Sequence, residues 1–266
     1  MATSPIGVIG GSGLYSLLPH TDEVVVDTPY GAPSDPLVVA DLDGVTVAFV
    51  PRHGRDHRHP PHRVPYRANL WALRSLGVRQ VLAPCAVGGL DPSLVPGDLV
   101  VPDQILDRTS GRVGTFYDEG AVHVPFADPY CPRGRAAVLT AADRAGWTAR
   151  DGATIVVING PRFGSRAESQ WHAGAGGTVV NMTGMPEAVL ARELALCYTS
   201  VALVTDLDAG VESGSGVTQE QIFAVFEASI ERLRALLLDA VRLVGADRTC
   251  ACGRALDGTA AQGRWD

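Results

Sequence analysis

Thr199-Ser200-Val201-Ala202-Leu203-Val204-Thr205-Asp206-Leu207-Asp208-Ala209-Gly210 is the stretch whose reading decides the fold. Its first half is an apolar, β-branched run of the kind that fills a buried parallel strand. It then stops on two carboxylates spaced i, i+2 and followed by Ala-Gly. In an extended segment that spacing predicts both side chains on one face, at the strand's C-terminal end. Open α/β sheets bind their ligands at that end. Taken alone, the pair has a lesser alternative reading, as a helix cap or an acceptor for loop backbone.

Working outward, the same design recurs. Ile6-Gly7-Val8-Ile9-Gly10-Gly11-Ser12-Gly13 reads as a short buried strand entering a glycine-rich loop, whose backbone N–H groups and Ser12 hydroxyl suit an anion. Ser16 sits where a dinucleotide fingerprint needs its last glycine, so a phosphate loop fits better than a dinucleotide fold. Val45–Val50 is a strand that runs into Pro51-Arg52-His53-Gly54-Arg55-Asp56-His57-Arg58-His59, the most basic stretch of the chain. Its histidines invite a metal reading, but the interleaved arginines repel a cation and no helical ligand frame is present. Arg52 beside His53 at a strand end suits an oxyanion. Val81–Leu90 repeats the strand-into-glycine theme, and Ala153–Ile158 is a strand ending at Asn159-Gly160-Pro161-Arg162-Phe163. Ser165 and Glu168 have capping-box spacing at the start of a helix. Thr178–Glu187 is a strand and turn.

Helices are predicted over Tyr66–Leu76, Arg135–Ala145, Ala188–Leu196 and Thr218–Val244, with Arg108–Tyr130 a long loop. Strands and helices alternate without repeat or linker, which predicts a single α/β domain over 1–245 with a parallel or mixed sheet. Residues 246–266 read as a loose tail.

Composition narrows the function. The 266 residues are 46% hydrophobic, long enough for a sizeable core. Net charge −7 argues against a general nucleic-acid binder. All 22 basic residues are arginine, which excludes a lysine Schiff base and a lysine-bearing phosphate loop. No apolar run reaches the ~18 residues of a membrane span, so a cytoplasmic protein with no membrane partner is expected. Of five cysteines, Cys85, Cys131 and Cys197 are scattered and read as reduced core or loop residues. Cys250-Ala251-Cys252 is a tight pair with no second pair in sequence to complete a zinc site; it reads as part of the tail, with a redox role the alternative. No metal is expected.

The strand ends together describe two chemistries. Hydroxyls, an arginine and backbone amides suit inorganic phosphate. Asp206 and Asp208 suit the Hoogsteen edge of an aminopurine, where N7 accepts and N6 donates. Two close carboxylates raise one another's proton affinity, so one can donate to N7 while its neighbour accepts from N6. A 6-oxopurine presents O6, which a carboxylate would repel.

These motifs resemble the 5′-methylthioadenosine phosphorylases of the trimeric purine nucleoside phosphorylase family. The resemblance runs from Gly7 to about Val241 and rests on Ile9–Leu14, Arg52-His53-Gly54, Asn69–Leu73, Gly160–Phe163, Arg166-Ala167-Glu168, Asn181-Met182-Thr183 and Thr205–Asp208. It implies one α/β domain around a mixed, partly barrel-like sheet flanked by helices, and no cofactor beyond phosphate as co-substrate. It implies a homotrimer or a dimer of trimers. It further implies phosphate contacts from Ser12, Arg52, His53 and Thr183, with Ala86 and Gly88 beside phosphate and base. Phe163 would stack on the purine, Met182 would lie under the ribose, and Asp206 and Asp208 would hold the base. His123 would reach the neighbouring subunit's 5′ pocket, which Val217, Ile222 and Phe223 would line.

Three positions depart from the family pattern. Cys85 stands where a threonine usually bonds phosphate, Gly164 replaces a serine, and Gln219 falls where an apolar residue usually faces the methylthio group. The last allows a 5′-hydroxyl, so adenosine joins methylthioadenosine as an expected substrate. The alternatives are a 6-oxopurine nucleoside phosphorylase, which Cys85–Gly89 somewhat resembles, and a non-catalytic nucleoside-binding protein.

Overall fold

The long apolar run becomes β11 (Cys197–Leu207), and it lies against β5 (Gln80–Gly89) in a parallel ladder from Cys197↔Gln80 to Leu207↔Gly89. This computed structural model describes residues 4–11, 14, 18, 22–209, 218–245 and 248–265, with only the backbone at Gln219, Gln221 and Phe223. Side chains alternate across β11 as strand geometry requires. Tyr198, Ala202 and Val204 enter one apolar core, and Val201 and Leu203 the other.

The register shifts between Val204 and Asp206, which leaves Thr205 as an extra residue. A bulge reverses the alternation beyond it. Asp206 therefore leaves the face that carries Ala202 and Val204 into the core and takes the side of its partner Gly88.

β5 is the branch point of the sheet. With β11 along one edge, its other edge is divided. β1 (Ile6–Gly10) pairs in parallel with Gln80–Leu82, and β10 (Val179–Asn181) runs antiparallel to Gly88 and Gly89. From β1 the sheet continues through β4 (Val45–Pro51) and β3 (Leu37–Leu42) to β2 (Asp22–Val24). From β10 it continues through β9 (Thr154–Ile158) to β7 (Gln104–Arg108). Beyond β11 lie β6 (Leu99–Val101) and β8 (Ala149–Asp151). Parallel and antiparallel ladders are both present, so the sheet is mixed, and it forks at β5 instead of running as one flat row.

Helices cover both faces. α1 (Tyr66–Ser75) packs with α4 (Gly184–Glu193) over one core, where Leu70, Leu73, Leu190 and Ala191 are fully buried. α2 (Pro132–Arg144) packs with α5 (Gln219–Val244) over the other. In α5, Leu233, Leu236, Leu237, Ala240, Val241 and Val244 are buried, a one-face stripe at helical spacing. α3 (Arg166–Gly174) starts with the capping box the sequence predicts: the Ser165 side chain accepts from the Glu168 N–H, and the Glu168 carboxylate accepts from the Ser165 N–H. The fourth helix opens with a turn at Gly184, kinks at Met185, whose backbone is extended, and then runs on to Glu193, close to the predicted start at Ala188.

The end of the chain corrects the expectation of a loose tail. Residues 248–265 fold back on the domain, with Cys252, Ala255, Leu256 and Ala261 buried. Trp265 Nε1 donates to the Glu193 carbonyl at 3.0 Å, and its ring meets Phe116 edge-on. Apolar burial is the driving force, and it is hard to see in sequence because Leu256 and Trp265 are the segment's only large apolar side chains.

Candidate active site

The strand ends converge on one cavity of about 480 Å3. β4 delivers Arg52 and His53, β5 delivers Cys85, Ala86 and Gly88, and β11 delivers Asp206 with Asp208 just beyond it. The turn after β9 adds Phe163, the β10–α4 junction adds Met182 and Thr183, and α5 adds Ile222. A larger cleft of about 720 Å3 lies alongside, and its one paired acid is already engaged. There Arg162 pairs with Glu168 at 2.7 Å, and the Arg108 guanidinium sits 4.6 Å from the Trp171 ring centroid.

At one end of the cavity, Arg52 is almost wholly consumed by structure. Its Nε and Nη2 donate to both oxygens of Glu187 at 2.8 and 2.9 Å, and the pair is 3% and 2% exposed. Nη2 also donates to the Ile9 carbonyl and Nη1 to the Pro84 carbonyl, both at 3.0 Å. Those carbonyls lie just past the last β1–β5 pair, Val8↔Leu82, so Arg52 fills the fork of the sheet. Of its five N–H groups one Nη1 hydrogen remains for a ligand. Burial works against the charge, but Glu187 outweighs it and holds the guanidinium more firmly protonated than usual. Tyr198 donates to the same Glu187 at 2.7 Å. A guanidinium already paired in this way offers an oxyanion directed hydrogen bonding more than net charge.

His53 Nδ1 lies 2.8 Å from the His59 carbonyl. A carbonyl only accepts, so Nδ1 carries the proton and Nε2 presents a lone pair. Burial, aided by Arg52, pushes the ring's pKa down to about 4, against the opposing bond to His59, so the imidazole is neutral. The ring stacks on His57 with centroids 4.6 Å apart. Thr183 precedes the kinked first turn of α4 and its side chain makes no capping bond there, which leaves its hydroxyl for another partner. The Cys85 thiol is 3.5 Å from the Ser200 hydroxyl and accepts from Asn181 Nδ2 at 3.5 Å. Burial pushes its ionisation up, so it stays a weakly donating thiol.

At the other end the two aspartates are held differently. Asp208 is 5% exposed and accepts from the fully buried Ser169 hydroxyl at 2.6 Å, while its N–H donates to the Gly89 carbonyl at 2.9 Å. Asp206 is half-buried and accepts from the Thr205 hydroxyl at 2.8 Å. Burial pushes its carboxyl up to about 6, with Asp208 adding to the rise and Thr205 opposing it. Both crowd Gly88: a Cβ there would stand 3.1 Å from Asp206 Oδ2 and 3.3 Å from Asp208 Cβ. One carboxyl near its protonation point beside another anchored by a hydroxyl is the arrangement that separates proton donor from acceptor.

Between the two ends, Met182 is set by Gly160, whose φ is +60° and whose Cβ, if present, would lie 2.4 Å from the Met182 sulfur. Phe163 is 38% exposed, an aromatic face left open at the cavity. His123 is exposed and does not line the cavity of its own chain. Ser12 and Val217 lie outside the described residues, as do the side chains of Gln219 and Phe223.

Sequence reasoning missed Glu187, Ser169, Thr205 and Phe226. Phe226, one helical turn after Ile222, lines the cavity and could have been found from that i, i+4 spacing. The reading of the cysteines also needs correction. Cys250 and Cys252 do have a second pair: the Sγ atoms of Cys131 and Cys197 join theirs, all within 4.8 Å of one another. The four come from three distant segments, so no spacing rule would collect them.

The comparisons agree with this geometry. Residues 5–242 match the family model described as the phosphorylase superfamily. A purine nucleoside phosphorylase of Streptomyces coelicolor is 60% identical over 95% of this chain and 94% of its own length. The S-methyl-5′-thioadenosine phosphorylase of Mycobacterium tuberculosis is 57% identical over 92% and 91%. Among solved structures, a methylthioadenosine phosphorylase from an Antarctic soil metagenomic library superposes with a TM-score of 0.91 at 40% identity, covering 100% of this chain and 95% of that one. An adenosine/methylthioadenosine phosphorylase variant from Schistosoma mansoni, in complex with methylthioadenosine, gives 0.89 at 38% identity over 95% of each chain. With the forked mixed sheet and its strand-end cavity, these likenesses identify the chain as a member of the phosphorylase superfamily, among its methylthioadenosine and purine nucleoside phosphorylases.

Proposed function

We propose that the enzyme phosphorolyses S-methyl-5′-thioadenosine, and adenosine as a second substrate, to adenine and the corresponding pentose 1-phosphate. The observation that carries this reading is the Asp206–Asp208 pair facing Arg52, His53 and Thr183 across one cavity. Asp206, protonated, donates to purine N7 and Asp208 accepts from the 6-amino group. As the C1′–N9 bond breaks, the electron pair moves onto the base and is relieved by the proton from Asp206. A phosphate oxygen then closes on C1′ of the oxocarbenium-like sugar. The bare Nε2 of His53 accepts the O–H of HPO4 2−, whose proton must leave as the ester forms. Protons balance, since the base gains one and phosphate gives one up. Met182 and Phe163 hold ribose and base, and Ile222 with Phe226 gives the cavity an apolar wall suited to a thioether.

Inorganic phosphate is the co-substrate and no organic cofactor takes part. Exposed His123 fits a role in completing a neighbour's site, and the working unit is a homotrimer or a dimer of trimers. No helix among the described residues is long and apolar enough to cross a membrane, and all five cysteines are free thiols, which supports a cytoplasmic enzyme.

A second reading is a 6-oxopurine nucleoside phosphorylase, since the name of the Streptomyces coelicolor relative, purine nucleoside phosphorylase, does not restrict the base to an aminopurine. Incubation with phosphate and methylthioadenosine, adenosine or inosine, followed by chromatography of the free base, separates the two. Adenine from the first two is expected; hypoxanthine released fastest would favour the second reading.

A further inference from the structure

We propose that Cys131, Cys197, Cys250 and Cys252 form a structural tetrathiolate zinc site that fastens the C-terminal segment to the domain. Cys131 caps α2, Cys197 opens β11, and Cys250 and Cys252 flank the start of the tight helical turn Ala251–Arg254. Three of the four are buried and Cys250 is half-buried. Cys250 Sγ lies 3.3 Å from Cys197 Sγ and 3.7 Å from Cys131 Sγ, and all four sulfurs fall within 4.8 Å of one another. Zinc–sulfur bonds of about 2.3 Å at tetrahedral angles set sulfurs roughly 3.8 Å apart, the scale seen here. Four mutually close sulfurs form a coordination shell, whereas two disulfides would draw them into separate pairs.

The surroundings suit an anionic cluster. Tetrathiolate zinc carries two negative charges, and Cys131 is the N-cap residue of α2, at the positive end of that helix's dipole. Arg248 precedes Cys250 by two residues and packs its guanidinium against Gly253, beside Cys252. Its Nε is buried without a hydrogen-bond partner. A half-buried guanidinium whose Nε donor is unspent is a charge that a thiolate cluster would balance.

Four protein ligands leave no open position, so the metal would hold structure and take no part in phosphorolysis. What it would hold is visible downstream. Leu256 and Ala261 pack with Tyr117 and Ala195, and Trp265 reaches Phe116 and Tyr117 in the loop that leads to His123. The cysteine cluster is the root of that contact, and its spacing in sequence, 131, 197, 250 and 252, is why only the fold shows it.

The test is metal analysis of the full chain purified with reductant and without chelator. About one zinc per chain is expected, released when a mercurial reagent blocks the thiols. Replacing it with cobalt(II) should give the strong visible bands and thiolate charge-transfer absorption of a tetrahedral sulfur site. The double variant Cys250→Ser/Cys252→Ser should hold less than about a tenth of the wild-type zinc, and Cys85→Ser should hold all of it. If the double variant does not fold, the wild-type zinc and cobalt measurements still decide. A reduced wild-type chain that takes up neither metal, or peptide mapping that finds the four cysteines in two disulfides, would overturn the proposal.

Discussion

Ser169 touches no substrate in this account, yet its replacement should be felt as strongly as that of a contact residue. Its fully buried hydroxyl has one hydrogen and two acceptors in range: the Ser165 carbonyl at 3.1 Å and Asp208 Oδ2 at 2.6 Å. The shorter bond, to a carboxylate, takes it. Hydrogen bonds to charged groups contribute about 1.5–3 kcal/mol. Ser169→Ala removes that anchor, so Asp208 is free to turn and to compete with Asp206 for the proton. At about 1.4 kcal/mol per decade, kcat/KM for methylthioadenosine should fall roughly 10- to 150-fold. The loss should be smaller for inosine, which has no 6-amino donor for Asp208 to hold. The assay is phosphate-dependent base release, run beside thermal melting to separate the site from the fold. A variant with unchanged melting and kcat/KM within twofold of wild type would show that Asp208 does not depend on Ser169.

Three further outcomes follow from the site. With the Asp206 carboxyl raised to about 6, its protonated form is lost as pH rises through that value, so kcat/KM for adenine nucleosides should decline on the alkaline side; a flat profile from pH 5 to 8 would remove Asp206 as the acid. Cys85→Thr places a stronger donor at the phosphate end and should lower the phosphate KM about 2- to 10-fold, one neutral hydrogen bond's worth, and an unchanged KM would show that Cys85 does not reach phosphate. Arg52→Ala strands the buried Glu187 carboxylate and should cost about 3–5 kcal/mol of stability in denaturant titration. Much of that loss should return in Arg52→Leu/Glu187→Leu, and equal losses in both variants would mean that the ion pair is not the source.

How much of this was legible in the sequence depends on whether the signal is local. β11 and its terminal carboxylates, the Ser165/Glu168 capping box and the basic strand end at Arg52-His53 each sit within a few residues, and each stands as read in the fold. β2, β7 and β8 are strands of three to five residues inside segments rich in turn formers, too short to show a period. Thr205 is a bulge only because Asp206 must pair with Gly88, a fact about β5. Glu187 lies 135 residues from the arginine it neutralises. Arg52, read as an oxyanion contact, is also a structural bridge to Glu187, and nothing near it in sequence announces that partner. The four cysteines and the folded tail belong to the same class of information.

The central claim is that a carboxyl at position 206 supplies the proton that lets an aminopurine leave. Steady-state release of adenine from methylthioadenosine, compared between wild type and Asp206→Asn at saturating phosphate, tests it most directly. Asparagine keeps a donor toward N7 but has no proton to transfer, so kcat should fall about 10²- to 10⁴-fold, the range for a lost general acid, with KM changed far less. Methylthioadenosine cleaved at the wild-type rate by the variant would contradict the account, as would a wild-type enzyme that cleaves inosine faster than methylthioadenosine.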